Sequence, residues 1–482
     1  MKIKKIEIAN FKALYDIYSI DLGNSGKNLM IYGENGSGKS SFCKTIQLFF
    51  QASQKEIDVD SFHNVFNGQN KDSSYVKITF RDKRNSRDKA VALDSRNKKI
   101  NDQFIAEANK RKAFLDYRQL IKTHLVDSKR VDLFGILVED ILHYAINPVT
   151  QKPIGEEWAE IRAFKIDRRK KKEYDAFIEK LKDYSSGLKH LISEIEQEAN
   201  QIIKEFNYNV RLHLNPRLLT VNDENEISGN HICLVVDFFD KKEVKEHHHF
   251  LNEARLTAIA ISIFLGSILN IPGSDEYKVL VLDNIFIGLD TSNRIPLLEI
   301  LRKKFSDYQI FMATYDRHWY ELVKMYTNNR KWHYIEMCVK EEHQNGYEIP
   351  IINDKTDFIE KAEFHLNHGD LKASAVYLRS EFERLLKLTC SKGKIKIPYQ
   401  LQSKKNTSDD FWQAIRNLQV PGSTRPLFTK KQREKVERYR ALILNPFVHY
   451  DLIHQRFRSE LNESIKLLKE IKIRLKKEVG VL

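Results

Sequence analysis

Apolar residues near the start of the chain stand among polar neighbours at strand-like spacing. Ile3, Ile6 and Ile8 do so across residues 3–9, and Ile17–Leu22 alternates again. Asn28–Tyr32 is a short apolar strand, followed by a glycine-rich turn and a helix over Ser40–Phe50. Tyr75–Phe80 reads as another strand. From about 101 to 145 the pattern turns helical, with Phe114, Tyr117 and Leu120 on one face. The clearest helix spans 168–206. Its apolar positions are Phe177, Leu181, Tyr184, Leu188, Leu191, Ile195, Ala199, Ile202 and Phe206, at steps mostly of three and four. Either a coiled-coil seam or one long helix laid on a helical domain satisfies that row. Its length at about 1.5 Å per residue is some 50–60 Å. Strands return over 210–238, then a helix over Glu253–Leu269, a buried strand at Lys278–Leu282, a helix at Pro296–Lys304 and a buried strand at Gln309–Ala313. After about 355 the pattern is almost wholly helical, and there is no internal repeat.

A chain of 482 residues suggests about three domains. With 41% apolar and 11% aromatic residues it has ample material for large cores, which excludes wholesale disorder. No run of about 18 uncharged apolar residues suggests a membrane span, and no apolar stretch after Met1 suggests a secretory signal. The four cysteines, Cys43, Cys233, Cys338 and Cys390, are scattered without metal-like spacing, which argues against a disulfide framework or zinc site. A cytoplasmic location and no membrane contact are the expectations. The net charge of +14 is uneven: residues 355–482 hold 27 Lys/Arg against 15 Asp/Glu. A basic terminal third suits contact with nucleic acid, although a lysine-rich helical surface that aids solubility has the same composition.

Gly33-Glu34-Asn35-Gly36-Ser37-Gly38-Lys39-Ser40 matches the P-loop pattern G-x-x-x-x-G-K-S, with a strand before it and a helix after it. The glycines let backbone N–H groups turn inward around phosphates, and the helix N-terminus adds its positive dipole end. Lys39 should reach the β- and γ-phosphates of ATP, and the Ser40 hydroxyl should ligate Mg²⁺. Asn35, Gly36, Ser37, Gly38 and Ser41 complete the expected binding loop. The Mg²⁺ shell also needs a carboxylate at the end of an apolar strand. Val279-Leu280-Val281-Leu282-Asp283 supplies it, 244 positions after Lys39. So long a gap implies a large insertion.

The order of these parts, with Phe250-Leu251-Asn252-Glu253-Ala254-Arg255 before the second strand and Gly288-Leu289-Asp290 after it, resembles the ABC-type ATPase head of the SMC, RecF and RecN group. The resemblance implies an α/β fold: a P-loop head of residues 1–100 and 210–350, a helical, short coiled-coil insertion at 101–209, and a basic all-α domain at 351–482. It implies that Leu251–Arg255 is a signature loop capping the γ-phosphate held by a second subunit, hence a homodimer or higher oligomer. Asn252 stands where the group has serine, Glu253 follows it, and Asp290 matches the D-loop aspartate.

Two departures bear on activity. The group's catalytic glutamate directly follows the aspartate of the second strand, and here that position is Asn284, whose amide cannot serve as a general base. The group's switch histidine is replaced by Tyr315 in Thr314-Tyr315-Asp316-Arg317. Asn284 and Tyr315 thus occupy the catalytic positions and point to weak hydrolysis, unless another residue such as Asp316 replaces them.

Phe114–Leu125, Phe250–Ile263, Leu282–Arg294, Thr314–Glu321 and Asn445–Asp451 resemble the PtuA-type ATPase subunits of Septu anti-phage systems, which work with an HNH nuclease on DNA. That resemblance implies an ATP-binding regulatory or scaffold subunit of a defence complex. A repair ATPase of the RecF/RecN kind with real turnover, and a self-contained ATP-gated RNase using the C-terminal helices, are the alternatives. For the last, Arg379, Glu383, Arg440, Asn445 and His449 are the residues to weigh. The eight residues between Arg440 and His449 exceed the spacing of an Arg–His ribonuclease pair, so His449 reads more simply as a packing or capping residue. His247, His248 and His249, taken as an extended segment, do not converge on one metal ion.

Overall fold

The computed structural model describes residues 1–68, 73–82, 85–111, 113–116, 120, 133–271, 277–327, 330–341, 346–353, 357–397, 407–440 and 458–480. The chain forms two compact units, Met1–Asp354 and Lys355–Leu482.

The first unit is built on a six-stranded sheet in the order β15-β14-β3-β13-β12-β6. Its strands are β3 (Asn28–Gly33), β6 (Phe114–Asp116), β12 (Val279–Asp283), β13 (Gln309–Thr314), β14 (Trp332–Glu341) and β15 (Glu348–Asn353). All neighbours pair in parallel except β15, which closes the edge antiparallel to β14. Every residue of β12 and β13 is buried, which is why these strands read as unbroken apolar runs. Alternate side chains enter two different cores. Met30, Leu280, Leu282, Ile310 and Met312 face one, while Leu29, Ile31, Val279, Val281 and Phe311 face the other. Helix α1 (Lys39–Gln51) packs into the second core through Phe42, Ile46 and Phe49.

A second, antiparallel sheet has the order β2-β1-β4-β5, from β1 (Lys2–Phe11), β2 (Leu14–Asp21), β4 (Tyr75–Arg81) and β5 (Asp88–Asp94). Gln309 ties it to the central sheet. Its side chain, fully buried, accepts from the Ile3 N–H at 2.8 Å and from the Tyr277 hydroxyl at 3.3 Å, and donates to the Ile3 and Lys27 carbonyls at 2.9 Å each.

Residues 101–145 do not form the continuous helical run that their pattern suggests. Helix α2 (Gln103–Lys110) is followed by β6, and a π-helical turn occupies Gly135–Ile141. Phe114 therefore lies on a strand, because β6 completes the parallel ladder of β12 and sends Phe114 and Leu115 into opposite cores. Tyr117 lies outside the described residues.

After α3 (Ile154–Ala163), the long apolar row becomes one 35-residue helix, α4 (Lys171–Glu205). It packs on the unit itself as a single helix. Its buried face shares the first core with α5 (Glu253–Leu269) and with β7 (Val210–Pro216), the edge of a small sheet with β10 (Ile232–Phe238) and β11 (Lys241–Val244). The crossing with α5 needs a glycine: a Cβ on Gly266 would stand 3.0 Å from the Ala199 nitrogen and 3.2 Å from the Ile195 carbonyl. A two-strand ribbon of β8 (Thr220–Val221) and β9 (Ile227–Ser228) completes this unit's named strands.

The second unit contains, among the described residues, the helices α8 (Phe358–Asn367), α9 (Leu371–Lys392), α10 (Ser408–Ile415), α11 (Lys430–Tyr439) and α12 (Arg458–Val479). They enclose Leu378, Phe382, Trp412, Phe428, Leu461 and Leu468. Glu381 is buried but paired, taking two bonds of 2.7 Å from Arg384 and one contact of 3.2 Å from Lys472. Among the described residues no helix is long and apolar enough to cross a membrane.

Candidate functional site

The turn between β3 and α1 is shaped by its glycines. Gly36 and Gly38 adopt φ values of 86° and 90°, a backbone region that side-chain-bearing residues rarely enter. Gly33 has no room for a side chain: an added Cβ would lie 2.3 Å from the Ser37 Oγ and 2.6 Å from the Met337 carbonyl oxygen. The loop thus presents the first amides of α1 at its mouth without a side-chain cap. Lys39 folds back over this mouth. Its Nζ donates to the Glu34 carbonyl at 2.7 Å and lies 3.4 Å from the Ser37 Oγ, with only 4% of the residue exposed. Burial lowers its pKa below the usual lysine range, and the neighbouring Asp283 carboxylate opposes that shift.

Beside the loop opens a cavity of about 700 Å³. Asn35, Ser40, Ser41, Asp283, Asn284 and Tyr315 all line it, so segments scattered over the sequence converge there, while Gly36, Ser37, Gly38 and Lys39 are not among its lining residues. Ser40 hydrogen-bonds the Asp283 carboxylate. Burial raises the pKa of Asp283; the Ser40 bond opposes the rise, and nearby Asp116 adds to it. The Asp283 Oδ1 is buried without a hydrogen-bond partner. An orphaned carboxylate oxygen next to a hydroxyl fits a hard divalent cation such as Mg²⁺, which takes oxygen donors.

Asn284 follows at φ 55°, its N–H donating to the Ala313 carbonyl at 3.0 Å and its Oδ1 buried without a partner. Tyr315, just beyond the end of β13, is 40% exposed and lines the same cavity. Asp316, weighed as a substitute base, is engaged elsewhere. It accepts from Arg294, caps α7 (Arg317–Tyr326) by accepting from the Trp319 N–H at 3.0 Å, and does not line this cavity.

Asn252, Glu253 and Asp290 do not line the cavity either. Asn252 caps α5, accepting from the Arg255 N–H at 3.0 Å, and Glu253 opens that helix. Asp290 caps α6 (Thr291–Lys304), accepting from the Asn293 N–H at 3.1 Å. His247–His249 form a short 3-10 turn, not an extended segment, and burial lowers the pKa of His247. Among the described residues no group of three His, Cys, Asp or Glu side chains could hold a metal ion. In the second unit Arg379 pairs with Glu383 at 3.0 Å, and Arg440 pairs with Asp409 and, at 3.1 Å, with Glu437. Asn445 and His449 lie outside the described residues.

Motif reading missed Lys12, Lys44 and Asp116, which also line the cavity. The signal for Asp116 was a three-residue apolar-apolar-acidic ending like that of β12, hidden inside a helical-looking run.

Residues 2–333 match the family described as RecF/RecN/SMC N terminal domain. Comparison with curated proteins gives no match. Among solved structures, the SMC head bound to the C-winged helix domain of ScpA is 14% identical, at a TM-score of 0.40 over 75% of this chain and 100% of that one. The SMC head domain from Thermotoga maritima is 12% identical, at 0.33 over 73% and 98%. The Smc head domain with an extended coiled coil bound to the C-terminal domain of ScpA, derived from Pyrococcus furiosus, is 15% identical, at 0.41 over 76% and 99%.

Proposed function

The chain belongs to the RecF/RecN/SMC N-terminal domain family, and from that premise we propose that it is an ATP-binding switch subunit that holds its nucleotide with little turnover. One observation carries the reading. Asn284 stands beside Asp283 in the cavity where water activation would require a carboxylate, and Tyr315, which lines the same cavity, stands where the group has an imidazole.

The family generally binds ATP with Mg²⁺. In this reading the amides of Asn35–Ser41 and the Lys39 ammonium take the phosphates, and Ser40 and Asp283 hold the cation. Mg²⁺ would supply charge neutralisation on the β- and γ-phosphates. Asn252, Glu253 and Asp290 lie outside the cavity, which suits a role toward nucleotide held by a second copy, hence a homodimer or higher oligomer. ATP then acts through its γ-phosphate, which favours the assembled state over the separated one; only such differential affinity shifts an equilibrium.

We further place this switch in an anti-phage complex of the Septu type, where it controls an HNH nuclease acting on DNA. Support comes from the resemblance of Phe250–Ile263, Leu282–Arg294 and Thr314–Glu321 to that group, and from the basic balance of residues 355–482. Reconstituting the chain with its nuclease and titrating ATP against a DNA substrate tests the proposal. Cleavage should change with ATP, and light scattering should give at least a dimer when ATP is present. Cleavage indifferent to ATP, or a monomer with ATP bound, overturns it.

A further inference from the structure

We propose that Arg294 is a positioning residue that ties the Gly288-Leu289-Asp290 loop to the segment of Tyr315, so that a second copy seated on that loop is felt at the nucleotide. The inference rests on the ATP-dependent assembly proposed above and names the side chain that transmits it. None of the sequence motifs assigns Arg294 a role.

Arg294 lies near the start of α6, with 12% of its side chain exposed. Its guanidinium is engaged on two edges. Nε donates to the Leu289 carbonyl at 2.7 Å, inside the loop that ends at Asp290, and Nη1 pairs with the Asp316 carboxylate. Asp316 directly follows Tyr315 and caps α7. One planar cation thus bridges two chain segments, a geometry that a lysine ammonium does not reproduce.

The same side chain stands close to the residues at the catalytic positions. Asn284 and Tyr315 line the nucleotide cavity, and they also line a second, small cavity of about 10 Å³ together with Arg294 and Asp316. The guanidinium lies 5.9 Å from the Trp319 ring centre, and that indole packs at 5.0 Å on Phe286, midway in sequence between Asn284 and Gly288. On its other side the loop is keyed to α5: a Cβ on Gly288 would stand 2.1 Å from the Thr257 Oγ1, on the helix that Asn252 caps. A continuous row of contacts therefore runs from α5 through Gly288 and Leu289 to Arg294 and Asp316, next to Tyr315. Interiors packed this closely transmit a displacement and do not absorb it. Because Arg294 holds the loop by its backbone, a partner that shifts Leu289 also shifts the guanidinium, and with it Asp316 and Tyr315. Neither Arg294 nor Asp316 lines the nucleotide cavity, so ATP binding to a single chain does not require them.

The test separates ATP affinity from assembly. Calorimetry at a concentration where the chain is monomeric should give Arg294→Gln the ATP affinity of the unmodified chain. Light scattering should show that variant needing about tenfold more protein to dimerise with ATP, within the range expected of a residue on a coupling route. Arg294→Lys keeps the charge beside Asp316 and should show the same separation to a smaller degree. Trp319 supplies a spectroscopic readout: its emission should change on ATP-driven assembly, and Trp319→Phe should identify that change among the four tryptophans. Arg294→Gln should lack the change at concentrations where the unmodified chain is dimeric. ATP affinity that falls in step with the melting temperature would mark a merely structural side chain and overturn the inference. So would a folded Arg294→Gln or Arg294→Lys chain that dimerises at the same concentration as the unmodified one, a result that leaves ATP-driven assembly intact. If the unmodified chain binds ATP and stays monomeric, the assembly reading falls and the inference with it.

Discussion

Replacing Lys39 by methionine removes the cation of the phosphate loop while keeping most of the side chain's length. The Nζ now spans the mouth of the loop, 2.7 Å from the Glu34 carbonyl and 3.4 Å from the Ser37 Oγ. A phosphate entering the loop takes the place of those partners. A hydrogen bond to a charged group contributes about 1.5–3 kcal/mol. With about 1.4 kcal/mol per decade of affinity, that loss corresponds to roughly ten- to 150-fold weaker ATP binding. Lys39 is almost wholly buried, so solvent screening takes little from the figure. Isothermal titration calorimetry with ATP measures the effect directly. The fold should survive the change, because removing the charge relieves the burial that lowers the lysine pKa. Circular dichroism melting should therefore show a folded variant. A folded Lys39→Met protein that binds ATP as tightly as the unmodified chain would refute the assignment of the loop.

Two further expectations concern the scaffold around the site. Gln309→Leu orphans the Ile3 N–H, the Ile3 and Lys27 carbonyls and the Tyr277 hydroxyl, so urea denaturation should report a loss of about 3 kcal/mol or more; a loss under about 1 kcal/mol would mean that water replaces these bonds. Burial raises the pKa of Asp316, but the bonds from Arg294 and from the Trp319 N–H outweigh it and leave the group below 3.8. The stability contributed by this pair is therefore complete above pH 3.8 and is lost as pH falls through the lower folded value. The melting difference between the unmodified chain and Arg294→Gln should shrink as pH drops below that point, and a difference constant with pH would contradict the pairing.

The phosphate loop was legible because its chemistry leaves the sequence little choice: positive φ at Gly36 and Gly38 demands glycine, and anion binding demands the lysine. Strand β12 was legible because burial on both faces forces an apolar run, which ends at Asp283. Strand β6 obeys the same rule, but three residues are too few to establish a period, and helical flanks mask it. Strand β5 went unread for a different reason: Asp88, Lys89 and Ala90 are exposed on the rim of the antiparallel sheet, so no alternation develops. The long row of α4 left two readings open because a coiled-coil seam and a core-facing stripe share the same spacing. What separates them is the partner surface, and Gly266 on α5 supplies it from some seventy positions downstream. Lys12 and Lys44 carry no motif, since a lysine that lines a cavity is indistinguishable in sequence from one that faces solvent.

The central claim is that ATP is held and not consumed because Asn284 replaces the base. It is tested most directly by incubating the full chain with Mg²⁺ and α-labelled ATP, isolating the protein, and measuring the ratio of ATP to ADP on it over time. The account predicts that the bound nucleotide stays ATP in the unmodified chain and converts to ADP in Asn284→Glu, where the carboxylate is restored. Rapid appearance of bound ADP in the unmodified chain would contradict the claim.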